Sequence, residues 1–316
     1  MFSLEKKTPF LNPEETGEMF WEKSQAVVVP FGLEASVSYG GGTKNGPEAI
    51  LKASHQLELF DEEFWQEPYL NYGIVTLKKF GIKKSPKKAV AQLQKITAKI
   101  LEANKFPLIL GGEHSLTPGA VYACAEKFGK ITILHFDAHA DLRDGYEGEK
   151  FSHAAAMRRC LDDPRVNIVS VGIRSISAGE IPFLEANSKR VKIFWGKDKG
   201  SWQIPEILKA LGNNQIYLSF DIDGLDSSII PATGTPVPGG LLFDEATAII
   251  CEVAKEKKII GADIVEFAPI KNLHACNFMT ATLTYKILSY ALSKDLRNKL
   301  LKAAKAREAG NYKIKI

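Results

Sequence analysis

The sequence has few cysteines, and none of them lies in a C-x-x-C pair. Four occur in 316 residues, at Cys124, Cys160, Cys251 and Cys276. Their spacing indicates neither a zinc site nor a disulfide framework. Reduced, scattered cysteines are typical of an intracellular protein, and we therefore expect a cytoplasmic location.

Long apolar runs and a strong net charge are also missing. No stretch of about 18 uninterrupted apolar residues occurs, so no transmembrane helix is predicted. The 41 basic and 37 acidic residues leave a net charge of +4, which is too small to indicate a nucleic-acid partner. Because the chain also contains no Gly/Ser linker, internal repeat or low-complexity tract, we expect a single domain over residues 1–316.

Short apolar runs alternate with segments of helical periodicity. The runs are rich in β-branched residues and nearly continuous in apolarity, as strands buried on both faces are. Predicted strands are Gln25–Pro30, Asn71–Val75, Pro107–Leu110, Ile131–Asp137, Val166–Gly172, Val191–Trp195, Gln215–Asp221 and Lys258–Val265. One predicted helix begins at Gly46, and three others cover Ala89–Leu101, Asp244–Lys257 and Met279–Ala303. This alternation predicts an α/β fold with a parallel sheet between helices.

Three of the predicted strands are followed by residue types that bind metals. Gly111–Ser115 (GGEHS) follows the first, Asp137–Asp141 (DAHAD) the second, and Asp221–Asp226 (DIDGLD) begins at the end of the third. In open parallel sheets, ligands bind outside the carboxyl ends of the strands. Alternate side chains of an extended chain share a face. If each run stays extended, Asp137, His139 and Asp141 can converge, and so can Asp221 and Asp223.

A charge argument favours a metal at these strand ends. Taken singly, a strand-end Asp is often only a helix cap, and His114 alone suits a capping or core position as well as it suits a metal ligand. Several carboxylates gathered away from water, however, repel one another unless a cation neutralises them. Imidazole and carboxylate together suit manganese, zinc or iron, and this many ligands favours two metals with shared carboxylates. His135 lies inside a predicted strand, and we interpret it as a buried core histidine.

The runs GGEHS, HFDAHADLRD and SFDIDGLD resemble the three signature motifs of the ureohydrolase family, which includes arginase and agmatinase. Supporting runs that are similar to the family lie at Ser38–Ile50, Ile230–Gly240 and Asp263–Pro269. The resemblance implies a three-layer α-β-α sandwich with a mainly parallel central sheet. It also implies a homo-oligomer, either a trimer or a hexamer.

The resemblance further implies two Mn²⁺ ions per subunit and a residue set to hold them. His114, Asp137, Asp141 and Asp221 would hold one ion, and His139, Asp137, Asp221 and Asp223 the other. Glu266 resembles the residue that binds the guanidinium group, and His153 resembles a loop histidine that transfers protons. Asp141 is similar to a carboxylate that also assists the reaction.

The sequence is less specific about the substrate, a small guanidino compound. Arg143 stands where arginases usually carry asparagine, and the run DLRDGYEGEKFSH is similar to that of agmatinases. The chain departs from common agmatinases at Ala154–Met157 and at Ser227. Agmatine hydrolysis to putrescine and urea is therefore expected, with guanidinobutyrate, arginine or formiminoglutamate as alternative substrates. A single-zinc deacetylase and a non-catalytic polyamine-binding protein are the alternatives outside this reaction.

Two sets of loop residues are candidates for contacts with the far end of the substrate. Asp144, Glu147 and Glu149 could attract a distal amine, although a solvated acidic loop explains them equally well. Arg143 or Arg174 could instead pair with a substrate carboxylate. The sequence alone does not separate these alternatives.

Overall fold

A parallel eight-stranded sheet lies at the centre of the protein. The computed structural model describes residues 2–293 and 296–308. Within them the strands are β1 Ala26–Phe31, β2 Ile74–Thr76, β3 Phe106–Gly111, β4 Ile131–Phe136, β5 Val166–Ile173, β6 Val191–Trp195, β7 Gln215–Asp221 and β8 Ile259–Val265. Their order across the sheet is β2-β1-β3-β8-β7-β4-β5-β6, and every pairing is parallel. The predicted α/β fold is confirmed.

Helices connect successive strands and cover both faces of the sheet. The described helices are α1 Pro13–Thr16, α2 Gly46–Ser54, α3 Tyr69–Tyr72, α4 Pro86–Glu102, α5 Thr117–Phe128, α6 Ala156–Cys160, α7 Ile181–Ala186, α8 Ile204–Leu211, α9 Phe243–Glu256, α10 His274–Leu292 and α11 Leu296–Glu308. One core layer joins the sheet to α2, α8, α9 and α10, and a second joins it to α4, α5 and α6. Alternate residues of each strand enter opposite layers, as the period of two requires. The result is the predicted three-layer sandwich.

Two predicted elements differ from the structure. The strand expected at Asn71–Val75 begins only at Ile74, because Tyr69–Tyr72 forms a helical turn that Gly73 ends with φ 59°. The helix expected at Met279–Ala303 is divided into α10 and α11. Its first part ends where Ser293 takes an extended backbone, and residues 294–295 lie outside the described residues.

The central strands β3, β8, β7 and β4 are neighbours, so their carboxyl ends meet at one edge of the sheet. Phe136 pairs with Phe220 and Phe220 with Ile264, which places these ends level with one another. The turn after β7 packs directly on the end of β4. A Cβ at Gly224 would lie 2.8 Å from the backbone nitrogen of Asp137, so only glycine allows this approach.

Candidate metal centre

Four side chains from three strand ends converge in the first of two groups. Nδ1 of His114 lies 3.2 Å from an oxygen of each of Asp137, Asp141 and Asp221. All four residues are buried, with His114 only 1% exposed. His114 opens a 3₁₀ turn after β3, whereas the three carboxylates come from the ends of β4 and β7. The structure thus brings together the residues that the first predicted ion requires.

A second group shares one residue with the first. Nδ1 of His139 lies 3.0 Å from Oδ2 of Asp223 and 3.5 Å from Oδ1 of Asp137. Asp137 therefore directs Oδ2 toward His114 and Oδ1 toward His139, which makes it common to both groups. The second oxygen of Asp221 accepts a hydrogen bond from the backbone N–H of Asp223 at 2.9 Å. We call the six side chains of both groups, His114, Asp137, His139, Asp141, Asp221 and Asp223, the candidate metal centre.

Hydrogen bonds behind His114 fix which ring nitrogen faces the carboxylates. Ser219 Oγ donates to Asp263 at 2.7 Å, so it accepts at 3.0 Å from Nε2–H of His114. Asp263 is buried and also accepts from Thr117 and Tyr217. With the proton on Nε2, Nδ1 presents a lone pair, which is the orientation that an outer hydrogen bond imposes on a metal-binding histidine.

The first group fits a divalent cation better than a hydrogen-bonded cluster. Among the described residues, Nδ1 of His114 is buried without a hydrogen-bond partner, although three carboxylate oxygens lie at 3.2 Å. Four electron-pair donors directed at one point repel one another. Nitrogen and oxygen donors in this arrangement suit a transition-metal cation, which would attract all four.

The crowding of buried carboxylates and histidines also shifts the pKa values within the centre. Burial and the charges of Asp223 and Asp137 raise the pKa of Asp221 well above its usual value, and burial with Asp137 raises the pKa of Asp223. Burial would lower the pKa of His114, but its contacts with three carboxylates outweigh burial and raise it. The chain alone therefore holds extra protons here, and divalent metals compete with such protons.

The side chains converge although the runs after β4 and β7 do not stay extended. Asp141 reaches His114 because its backbone is left-handed, with φ 52°. The chain turns into a 3₁₀ helix at Ile222–Gly224, directly after Asp221. A non-glycine residue at positive φ costs of order 1 kcal/mol and persists where surrounding structure imposes it. Alternation along an extended chain is therefore not what assembles these side chains.

His135 is buried, as predicted, but it does more than fill the core. Its Nε2 lies 2.8 Å from Oδ2 of Asp137, and its Nδ1 lies 3.0 Å from Ser170 Oγ. One potential metal-ligand atom from each of His114, His135 and Asp137 lies within 4.8 Å of the other two. Sequence reasoning missed this contact. The signal was its position two residues before Asp137, on the same side of the strand.

A cavity of about 240 Å³ opens over the centre, and two further predicted site residues line it. Oε1 of Glu266 accepts from the backbone N–H of His114 at 2.6 Å, and burial raises the pKa of Glu266 to about 8. His153 opens a 3₁₀ turn before α6. Ser36 Oγ accepts from the backbone N–H of His153 at 3.0 Å and itself donates to the buried carboxylate of Glu113 at 2.9 Å.

The loop residues considered for the far end of the substrate divide into two sets. Arg143 and Tyr146 line the cavity, and the guanidinium of Arg143 lies 5.1 Å from the Tyr146 ring centroid. Asp144, Glu147 and Glu149 do not line this cavity. Arg174 donates to the backbone carbonyls of Gly172, Asp223, Leu225, Val237 and Pro238, so it is committed to the fold. The cavity wall also includes Ser175, Ser177 and the buried Glu180, which the sequence did not single out.

The parallel sheet between helices, the cavity and the paired histidine–carboxylate groups define a class of three-layer α/β protein with a candidate metal centre at one edge of the sheet. A family model described as the Arginase family matches residues 24–293. The chain belongs to this family. It is a hydrolase that acts on guanidino substrates, and enzymes of the family depend on a binuclear metal centre.

Individual relatives agree with this assignment. The chain is 35% identical over 273 residues to the N(1)-aminopropylagmatine ureohydrolase of Synechocystis sp., an alignment that covers 84% of this chain and 88% of that protein. It is 32% identical over 259 residues to the agmatinase of Bacillus subtilis, covering 79% and 86%. The agmatine ureohydrolase structure from Thermoplasma volcanium superposes with a TM-score of 0.80 at 26% identity, covering 94% of this chain and 97% of that chain.

No helix within the described ranges is both long and apolar enough to cross a bilayer.

Proposed function

We propose that the chain hydrolyses agmatine to putrescine and urea at two Mn²⁺ ions held by the candidate metal centre. The observation that carries the proposal is the convergence of three buried carboxylates on Nδ1 of His114, which has no hydrogen-bond partner among the residues that the structure describes. His114, Asp137, Asp141 and Asp221 would hold one ion. His139, Asp137, Asp221 and Asp223 would hold the other.

Such ions, when bound, lower the pKa of water toward about 7 and so make hydroxide available at neutral pH. The residues of the chain bind and orient the guanidinium. Glu266 lies beside His114 on the cavity floor, where a carboxylate facing a planar set of N–H donors binds strongly. Guanidinium binding would stabilise the charged form of Glu266 and lower its pKa.

Protonation of the leaving amine completes the reaction. The bond between the guanidinium carbon and the alkyl-bearing nitrogen breaks, and that nitrogen must gain a proton. His153 lines the cavity, and an imidazole transfers protons well near neutral pH. Its backbone N–H is held by Ser36, and the Ser36 hydroxyl lies 3.3 Å from its Nδ1. Asp141, at the cavity base, is the second candidate for carrying a proton away from the attacking water.

A second substrate, N(1)-aminopropylagmatine, is favoured by a specific observation. The N(1)-aminopropylagmatine ureohydrolase of Synechocystis sp. is 35% identical to this chain over most of both sequences. This substrate adds an aminopropyl arm to agmatine, so the far end of the cavity would have to accept it. Arg143 in the cavity wall is the observation that keeps the carboxylate-bearing guanidinobutyrate under test.

A urea-release assay with Mn²⁺-loaded protein tests the proposal. The panel contains agmatine, N(1)-aminopropylagmatine, guanidinobutyrate, arginine and formiminoglutamate. We expect the highest kcat/KM with agmatine. A preference for the aminopropyl compound would replace agmatine by the second candidate. No urea from any of them, with metal bound, would overturn the enzymatic proposal in favour of polyamine binding, and a single bound zinc would favour deacetylation.

The remaining expectations concern the protein as a whole. We propose a single domain, assembly as a homo-trimer or hexamer, a cytoplasmic location and no nucleic-acid partner. Light scattering coupled to size-exclusion chromatography would give the oligomer mass, and an elution as monomer would contradict the expected assembly.

A further inference from the structure

The segment between Asp141 and Ser152 contributes two residues to the cavity wall and contains no helix or strand. Arg143 and Tyr146 line the cavity, and the turn beyond them closes through paired backbone hydrogen bonds between Tyr146 and Glu149. Within that turn Glu147 and Gly148 both have positive φ, at 50° and 81°. Regular hydrogen bonding does not support such a segment, so its position depends on individual contacts with neighbouring elements.

Asp144 provides one of those contacts, and it is directed away from the cavity. Its Oδ1 accepts from Nη2 of Arg159 on α6 at 2.8 Å and lies 3.6 Å from Nη2 of Arg158. The Arg159 guanidinium holds the pKa of Asp144 below its usual value. Asp144 lies between the two residues that line the cavity, and its side chain is 75% exposed, so the ion pair joins an outward-facing carboxylate of the segment to α6.

Arg159 is an unusual partner because it is almost fully buried. The residue is 1% exposed, and within the described residues its Nε and Nη1 have no hydrogen-bond partner. A buried guanidinium depends on its few carboxylate partners much more than a surface lysine does. The other carboxylate nearby is Asp162, whose Oδ2 lies 3.4 Å from Nε. Asp162 follows α6 and does not line the cavity.

We propose that Asp144 is a positioning residue, whose ion pair with the buried Arg159 holds Arg143 and Tyr146 in the cavity wall for substrate binding. This inference rests on the proposed hydrolysis of a guanidino substrate. It assigns Asp144 to the support of the wall rather than to contact with a distal amine. The helix that carries Arg159 also donates a backbone hydrogen bond from Arg158 to the carbonyl of Asp141 at 3.0 Å. The wall and the candidate metal centre thus share one support.

Comparison of Asp144→Asn with Asp162→Asn tests the proposal, because each removes one charge beside Arg159 and only the first belongs to the segment. We expect Asp144→Asn to raise KM about fivefold with kcat within about twofold, since an ion pair of a largely exposed carboxylate contributes up to about 1 kcal/mol. Asp162→Asn should change neither constant by more than about twofold. Asp144→Glu keeps the negative charge, so its KM should lie close to that of the unmodified protein. Metal content should be unchanged in all three.

Hydrogen–deuterium exchange of the free proteins gives a readout without turnover. We expect backbone amides of residues 143–151 to exchange about tenfold faster in Asp144→Asn and at the original rate in Asp162→Asn. Equal exchange in both variants would overturn the proposal. KM is measured with whichever guanidino substrate the unmodified protein hydrolyses, so failure with agmatine alone would count against the proposed substrate and not against the role of Asp144.

Discussion

Two clusters of acidic side chains in this protein are neutralised in different ways. At Asp61–Glu63 the chain supplies its own cation: Lys286 Nζ on α10 lies 2.9 Å from Asp61, 2.8 Å from Glu63 and 3.5 Å from Glu62. The candidate metal centre has at least as many carboxylates, yet within the described residues their close ion-pair partners are histidines. Both clusters contain side chains that could hold a metal.

A structural acidic cluster can be distinguished from a metal centre by the side chains that accompany the carboxylates. A lysine among carboxylates occupies the position of a cation and satisfies them by itself. His114, whose outer nitrogen is already hydrogen-bonded, can instead release its extra proton and offer a lone pair to a bound cation. The composition of the partners, more than the number of carboxylates, separates the two cases.

The largest effect is expected when the centre loses a carboxylate that both ions would use. Asp221→Ala should abolish turnover and metal binding, a loss well beyond the roughly 100-fold that an outer contact is worth. Metal analysis and urea release measure the two losses together. An Asp221→Ala protein that kept its metal and its activity would contradict the shared ligand assignment.

Removal of Lys286 from the other cluster should lower the stability of the protein without changing its metal content. Lys286→Met leaves Asp61, which is 3% exposed, without its cation. We expect the free energy of unfolding to fall by about 3 kcal/mol, since an unpaired buried charge costs this much. Urea denaturation gives the value, and metal content should not change. Lys255→Met, which breaks the more exposed pair with Glu252, should cost under about 1 kcal/mol; equal losses would show that burial is not the cause.

A smaller effect is expected from the hydroxyl that orients His114. Ser219→Ala removes the acceptor for Nε2 and should weaken metal binding by about 10- to 100-fold. The matched variant is Ser170→Ala, which removes a similar buried contact from His135, a residue not assigned to an ion. Titration of the metal-free proteins with Mn²⁺ compares the two. If Ser170→Ala weakened binding more, His135 would have to be counted among the ligands.

The smallest effect concerns a third kind of carboxylate in the same molecule, Asp226, which is stabilised mainly by hydrogen bonds. Hydrogen bonds from Ser228, and from the backbone of Gly239 and Gly240, hold the pKa of Asp226 well below its usual value. A lowered folded-state pKa contributes stability above the unfolded pKa near 3.8, and this contribution is lost as pH falls below it. Asp226→Asn should therefore lower Tm by about 2 °C at pH 7, and the difference should shrink below that pKa. A constant difference would contradict the electrostatic cause.

Much of the architecture could be predicted because the strands are buried on both faces. Continuous β-branched runs gave β6 and β7 their observed bounds, and others to within a residue or two. The prediction that a strand begins at Asn71 was wrong, because a short apolar run does not distinguish a strand from a helical turn. The helical turn ends at Gly73, and the strand begins after it. The break at Ser293 has no Gly or Pro signal, so a continuous helix was the natural expectation.

The candidate site was predictable as a set of residues but not as a geometry. The six side chains of the centre come together. The left-handed backbone of Asp141, through which it reaches His114, could not be predicted from its position in the sequence. The roles of Ser219, Asp263 and Glu113 depend on contacts between distant parts of the chain. Asp144 looked suited to bind a substrate amine, and only the position of Arg159 indicates a structural partner.

The presence of a binuclear metal centre is best tested by the metal stoichiometry of the purified protein, measured together with urea release. We expect about two divalent ions per chain, with activity that disappears on chelation and returns as Mn²⁺ is added back. One zinc per chain, or full urea release from protein stripped of metal, would contradict it.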